Sequence, residues 1–169
     1  MESKMNGDSK NEDSRVAMLH IGIAADHGGF ELKMQLTSTL KNLGYNLIDF
    51  GAYVLEPDDD YPDFVIPMVK ALVNKDISLG IAVCGSGVGA CITANKVPGI
   101  RAALIAESFS AHQGVEDDNM NVMCLGGRIT GYNLALELVL NFLNASFKAE
   151  ARFIRRLDKI TLLENENNQ

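Results

Sequence analysis

The chain has 169 residues, 47% hydrophobic and 22% charged, which suits one domain with a sizeable core. Its formal charge of −7 argues against nucleic acid or an anionic membrane as a partner, but leaves room for a local basic pocket. Three cysteines without pairing or zinc spacing imply reduced thiols, and no apolar run reaches transmembrane length, so a cytoplasmic protein is expected.

Residues 1–17 are polar and read as a flexible leader, ahead of a single domain at 18–165. Residues 19–25 (LHIGIAA) predict the first strand, which runs into Asp26-His27-Gly28-Gly29. Phe30, Leu32, Met34, Leu36, Leu40 and Leu43 have a helical period, and Gly44 marks a stop. A second strand follows at 46–50, then a loop at 52–60 broken by Glu56-Pro57 and three aspartates. Tyr61-Pro62 opens a helix to about residue 74, with Pro67 either kinking it or sitting in its first turns. A third strand is predicted at 77–83 and a turn at 97–99. Residues 100–106 read as a fourth strand, and 108–113 as a short helix stopping near Gly114. A fifth strand at 122–125 and helices at 132–143 and 149–163 complete the pattern, with a frayed polar end at 166–169. Strands alternating with helices predict an α/β fold: a doubly wound, Rossmann-like sandwich with a five-stranded parallel sheet and helices on both faces.

In such a sheet ligands bind beyond the carboxyl ends of the strands. That rule puts Asp26, His27, Gly51, Cys84, Ser86, Glu107 and Arg128 on one rim. The centre of the site is ISLGIAVCGSGVGACITANK, residues 77–96. Gly85, Gly87 and Gly89 let the backbone turn and approach a ligand, and a helix starting near Gly87 aims its free amides into the loop. Their spacing is neither the dinucleotide fingerprint nor a Walker A loop. A helix N-terminus favours thiolate over thiol, so a cysteine there can move a proton at carbon while nearby amides stabilise the enolate oxygen. The alternative for Cys84 is a small buried packing residue.

Other candidates carry two readings each. Asp26 either exchanges protons with hydroxyls or caps the following helix, and His27 either meets a phosphate or hydroxyl or faces solvent. Arg152 and Arg156 lie four apart on one helical face, suited to a phosphate or to a solvated basic face with Arg155 and Lys159. His20 reads as structural and His112 as solvent-facing, and Cys91 and Cys124 as packing residues. Glu116-Asp117-Asp118-Asn119 lacks a metal-loop spacing, so neither metal nor cofactor is expected.

The stretches IAADHGGF, Tyr61-Pro62, VCGSGVGACITANKVPGIRAAL, NVMCLGGR and Arg152-x-x-x-Arg156 together resemble ribose-5-phosphate isomerase B and its relatives, the galactose-6-phosphate and tetrose-phosphate isomerases. The resemblance implies a metal-free aldose–ketose isomerase of a sugar phosphate working through a cis-enediolate, with ribose 5-phosphate the leading substrate. It makes Cys84 the base, with the amides of Gly85, Ser86, Gly87, Val88 and Gly89 holding the oxyanion and Ser86 contacting a hydroxyl. Asp26 assists exchange at the oxygens and Tyr61 lines the sugar, while His27, Arg128, Arg152 and Arg156 meet the phosphate. It further implies a homodimer or dimer of dimers with shared sites, in which residues 117–128, Asp117 and Asn119 among them, reach the neighbour's pocket.

One departure stands out. The family's His-Asn-Asp-x-Asn run, whose His assists furanose opening, reads Asp117-Asp118-Asn119-Met120-Asn121 here. Either a protonated Asp117 replaces the His, or the substrate is one, such as a tetrose 4-phosphate, that closes no furanose. Two other classes compete: a non-catalytic sugar-phosphate-binding domain, and a cysteine-nucleophile enzyme, for which His27 is the lone rim histidine and no C-x-x-C occurs.

Overall fold

Alternation along three central strands sets the architecture. In β1 (His20–Ala25), β3 (Leu79–Cys84) and β5 (Val122–Gly126) successive side chains leave opposite faces. Ile21, Ile23, Ile81, Val83, Met123 and Leu125 pack on one face with Leu32, Leu36, Leu40, Leu138, Val139 and Phe142. Ala24, Ala82, Val122 and Cys124 pack on the other with Val65, Met68, Val69, Ala90 and Ala94. Both faces are buried, as a parallel sheet requires. The computed structural model describes residues 19–166, so the leader predicted at 1–17 lies outside the described residues, as do 167–169.

The five strands are all parallel, in the order β2-β1-β3-β5-β4, with β2 (Asn46–Asp49) and β4 (Ala102–Leu104) at the edges. Helices α1 (Phe30–Asn42), α4 (Ser108–Asp118) and α5 (Tyr132–Asn144) cover the first face, and α2 (Tyr61–Val73) and α3 (Val88–Ala94) the second. The last helix, α6 (Ala151–Glu166), lies against α4 and buries Phe153 alone of its side chains. The doubly wound sandwich is therefore as predicted. Because the chain steps outward from β1 to β2 and then crosses to β3, its winding reverses between β1 and β3. That switch point is where such sheets take ligands.

Several boundaries differ from expectation. The helix predicted to stop at Gly114 runs on to Asp118 and closes at Asn119, whose φ is +50°. Glycine serves another purpose at 114: a Cβ there would stand 3.2 Å from the Met120 side chain, so the returning chain packs directly on the helix. β3 begins at Leu79 instead of Ile77 and includes Cys84 as its last residue. β4 keeps three of the seven residues predicted, and the Asn95 side chain bonds both the amide and the carbonyl of Ala102 at 2.9 Å on its outer edge. Glu164, just past the predicted end of the last helix, is helical and accepts the Gly99 amide at 3.1 Å. No helix of the described residues is long and apolar enough to cross a membrane.

Candidate active site

The loops after β1 and β3 are in backbone contact. A Cβ at Gly28 would stand 2.7 Å from the Gly85 amide nitrogen, so only glycine lets the two turns meet. The loop after β5 closes on the same place: Gly127 donates to the Cys84 carbonyl at 2.8 Å and Arg128 to the Gly85 carbonyl at 3.0 Å. Beside β1, the Ala25 amide donates to the Gly51 carbonyl at 2.7 Å and the Ala52 amide donates to the Ala25 carbonyl at 2.6 Å. These bonds make four loop segments into one rim.

At its centre is a cavity of about 400 Å³. Eight of the residues predicted for the site line it: Asp26, His27, Tyr61, Cys84, Gly85, Ser86, Gly89 and Arg128. Gly28 and Ile129 line it too; neither is a candidate on residue chemistry. Gly87 takes the left-handed conformation (φ +82°) and donates its amide to Cys84 Sγ at 3.1 Å. Val88 follows as the first residue of α3, and its amide faces Ser86 Oγ at 3.4 Å. Two of the five amides expected to hold an oxyanion are thus engaged within the loop, one of them by the sulfur it would steady.

The charges around this hollow follow from burial and partners. Asp26 is 5% exposed and accepts the Gly29 amide at 3.1 Å, so it caps the turn and lines the cavity at once. Burial raises its carboxyl above the ordinary range, with the Gly29 amide and the charge of His27 working the other way. His27 is raised as well, first by its hydrogen bond to Asp59. Asp59 belongs to the run of aspartates that reads as a chain breaker; with acidic neighbours on both sides, nothing in the sequence singles it out. Arg128 lies alongside Gly85, its guanidinium 3.9 Å from where a Cβ would be.

The other candidates lie elsewhere in the chain. Asn119 borders a second hollow with Leu19, Ser78 and Leu79, at the amino ends of β1 and β3. Asp117, near the same end of α4, accepts from Gln113 Nε2 at 2.9 Å. Arg152 pairs with Glu150 at 3.0 Å, and both Arg152 and Arg156 lean on the Phe153 ring, at 4.3 and 5.8 Å. Two rim candidates are corrected. Glu107 is a helix cap, accepting the amides of Phe109 and Ser110, and Gly51 supports β1 through its carbonyl without lining the cavity. His20 is exposed at the strand's first position, not structural, and His112 faces Glu116 at 3.4 Å. Cys124 is buried as expected, but Cys91 is only half-buried, and its thiol is lowered to about 7, chiefly by a hydrogen bond from Cys124.

A family model described as Ribose/Galactose Isomerase matches residues 21–160, nearly the whole described fold. The chain belongs to that family. It is 40% identical to the probable ribose-5-phosphate isomerase B of Mycoplasma genitalium over 148 residues, 87% of this chain and 97% of that protein. Ribose-5-phosphate isomerase B of Clostridium thermocellum superposes with a TM-score of 0.85 at 41% identity, covering 88% of this chain and 99% of the other. The Mycoplasma genitalium enzyme, solved with ribulose 5-phosphate bound, gives a TM-score of 0.82 at 40% identity, over 88% and 98% of the two chains. Family membership thus extends over the sheet, the rim and the helix that carries the two arginines.

Proposed function

We propose that the chain is an aldose–ketose isomerase that interconverts ribose 5-phosphate and ribulose 5-phosphate. The observation that carries this is Cys84 Sγ at the end of the central strand, held by an amide and opening on a cavity shared with Asp26, Ser86, His27 and Arg128. In the open-chain aldose, the Cys84 thiolate takes the proton from C2. The electrons of that C–H bond form the C1–C2 double bond, and the carbonyl oxygen becomes an oxyanion. The remaining loop amides, those of Gly85, Ser86 and Gly89, face the developing charge. Protonated Cys84 returns the proton to C1. Asp26, raised toward neutrality by burial, suits the accompanying exchange between the two oxygens, because a carboxyl nearer the working pH both gives and takes a proton. His27 and Arg128 receive the phosphate, and Tyr61 borders the sugar.

The site is shared between copies. Supporting this, Asn119 lies at the amino ends of the strands, while Cys84 ends β3 about 16 Å away at 3.3 Å per residue. On this reading a second copy supplies Asp117, Asn119, Arg152 and Arg156 to the cavity, and a homodimer or dimer of dimers is the working unit. Asp117 then assists ring opening in place of a histidine. A cytoplasmic setting fits the free cysteines.

The test is a substrate panel of ribose 5-phosphate, erythrulose 4-phosphate and allose 6-phosphate, run in deuterated water with wild-type and Cys84→Ala protein. Turnover should be fastest on the pentose phosphate, with solvent deuterium entering the product. Cys84→Ala should lose both, by about 10³-fold or more. A higher rate on the tetrose phosphate would move the substrate assignment to the smaller sugar. Binding of every sugar phosphate without exchange would reduce the protein to a binding domain.

A further inference from the structure

His27 is held at two points by one side chain. Asp59 Oδ1 accepts the His27 backbone amide at 2.7 Å and faces ring Nδ1 at 2.8 Å. The Asp59 carbonyl oxygen faces the same nitrogen at 3.3 Å. Both groups facing Nδ1 are acceptors, so Nδ1 carries a hydrogen whatever the charge of the ring. Titration of His27 therefore takes place at Nε2. In the neutral ring Nε2 presents a lone pair, which repels a phosphate oxygen; in the imidazolium it presents an N–H, which binds one. With His27 on the cavity wall, its protonation decides whether this corner donates or repels.

We propose that Asp59 is a positioning residue that holds His27 as an imidazolium with its Nε2 hydrogen available to the substrate's phosphate. This rests on the reading of His27 as a phosphate contact. Asp59 reaches the histidine from the loop before α2, the helix whose first residue, Tyr61, also lines the cavity. One carboxylate thereby ties the β1 turn to the α2 entrance and sets the charge of the ring between them. The Asp59 side chain is 11% exposed and that of His27 30%, so the carboxylate is largely shielded from competing water while the ring stays open to the cavity. Asp26 adds to the effect from the same turn, while Cys84 and Arg128 share the cavity from the β3 and β5 loops and Asp58 and Asp60 flank Asp59. The hydrogen bond to Asp59 is the largest influence raising His27, so the donor form persists to higher pH than an unpartnered imidazole allows.

The experiment compares wild type, Asp59→Asn, His27→Ala and the double variant by kcat and KM for ribose 5-phosphate between pH 5.5 and 8.5. Inhibition by inorganic phosphate is measured alongside. NMR of the imidazole C2 protons follows His27, and with three histidines in the chain, His27→Ala assigns its signal. In Asp59→Asn the His27 midpoint should fall, and the alkaline rise in KM should move down in pH by the same interval. KM at pH 7.5 should increase about tenfold with kcat within about threefold, the loss of one charge-assisted hydrogen bond. The double variant should be no worse than His27→Ala. If His27→Ala raises KM while Asp59→Asn moves neither the His27 midpoint nor the KM profile, the Asp59 proposal is overturned and the phosphate contact stands. If His27→Ala leaves KM and phosphate inhibition unchanged, the underlying contact is wrong and the proposal goes with it. Should Asp59→Asn fail to fold, the wild-type spectrum decides: a His27 midpoint at or below the ordinary imidazole value of about 6.5 overturns the proposal, and one above it supports it.

Discussion

Lys33 offers the most direct test of how the rim is supported. Its side chain is fully buried on α1, and Nζ reaches both oxygens of Asp49 at 2.8 Å and the Ala52 carbonyl at 2.7 Å. All three ammonium hydrogens are used, and Asp49 Oδ1 also accepts the Gly51 amide at 2.9 Å. Lys33→Met keeps the stem and removes the charge, leaving Asp49 without its cation and the Ala52 carbonyl without its donor. Breaking a buried pair from one side costs about 3–5 kcal/mol. Asp49 is 24% exposed and keeps Gly51, so the lower end, about 3 kcal/mol, applies. For a domain of this size that lowers Tm by roughly 6–12 °C. Adding Asp49→Asn to Lys33→Met removes the stranded charge and should recover part of the loss, with an interaction energy of about 1–3 kcal/mol. Since Gly51 and Ala52 bond Ala25, next to Asp26, kcat should fall in Lys33→Met even where the protein is folded. Thermal unfolding at fixed protein concentration, followed by calorimetry, measures the first effect. A Tm within about 2 °C of wild type would refute the assignment of Lys33 as the clamp of this loop.

Two further outcomes follow from the structure. In a Cys84→Ala background, alkylation of Cys91 should rise with pH through a midpoint of about 7 and level off above it, since the thiolate is the reacting form, while buried Cys124 stays unreacted until the protein unfolds; mass spectrometry after timed iodoacetamide pulses checks this, and a midpoint at the ordinary thiol value would contradict the Cys124 hydrogen bond. If sites are shared in a dimer, mixing inactive Cys84→Ala with Arg152→Ala/Arg156→Ala and allowing subunits to exchange should restore about a quarter of wild-type activity, because half the dimers are hybrids with one intact site of two; no recovery despite demonstrated exchange would place each site within one copy.

The strands and the β3 loop were legible because their signals are local. Alternating Ile, Val and Ala dictate which face each residue takes, and a run of glycines after a buried strand has few uses other than a tight turn. Gly114 was misread for a related reason: a glycine that ends a helix and one that admits a neighbouring side chain look the same in sequence. Here Met120, six residues on, makes the difference. Lys33 falls on the helical face of Phe30, Leu36 and Leu40, but a lysine reads as solvated until Asp49, returning beside it, supplies a partner. Asp59 is concealed by Asp58 and Asp60, since composition gives no means of telling a hydrogen-bonding aspartate from its solvated neighbours. Asp117 and Asn119 enter as candidates only through likeness to a family, whereas Arg152 and Arg156 also share a helical face; none of the four lines the cavity with Cys84.

An acidic chain that binds an anion raises a question of local charge, and the rim answers it with two aspartates used in opposite ways. Asp59 gives its charge to His27, so the pair presents an imidazolium hydrogen to the cavity instead of a carboxylate. Asp26 is buried, and burial raises its carboxyl against the pull of the Gly29 amide and of His27. Arg128 stands beside Gly85 on the same cavity and adds a second cation to it. The net −7 counts every acid of the chain, and those more than a Debye length away, about 10 Å at 0.1 M salt, are largely screened at the cavity. Net charge therefore argues against a broad anionic partner such as nucleic acid, which must meet a wide surface. It does not exclude a single phosphate, which meets only this rim.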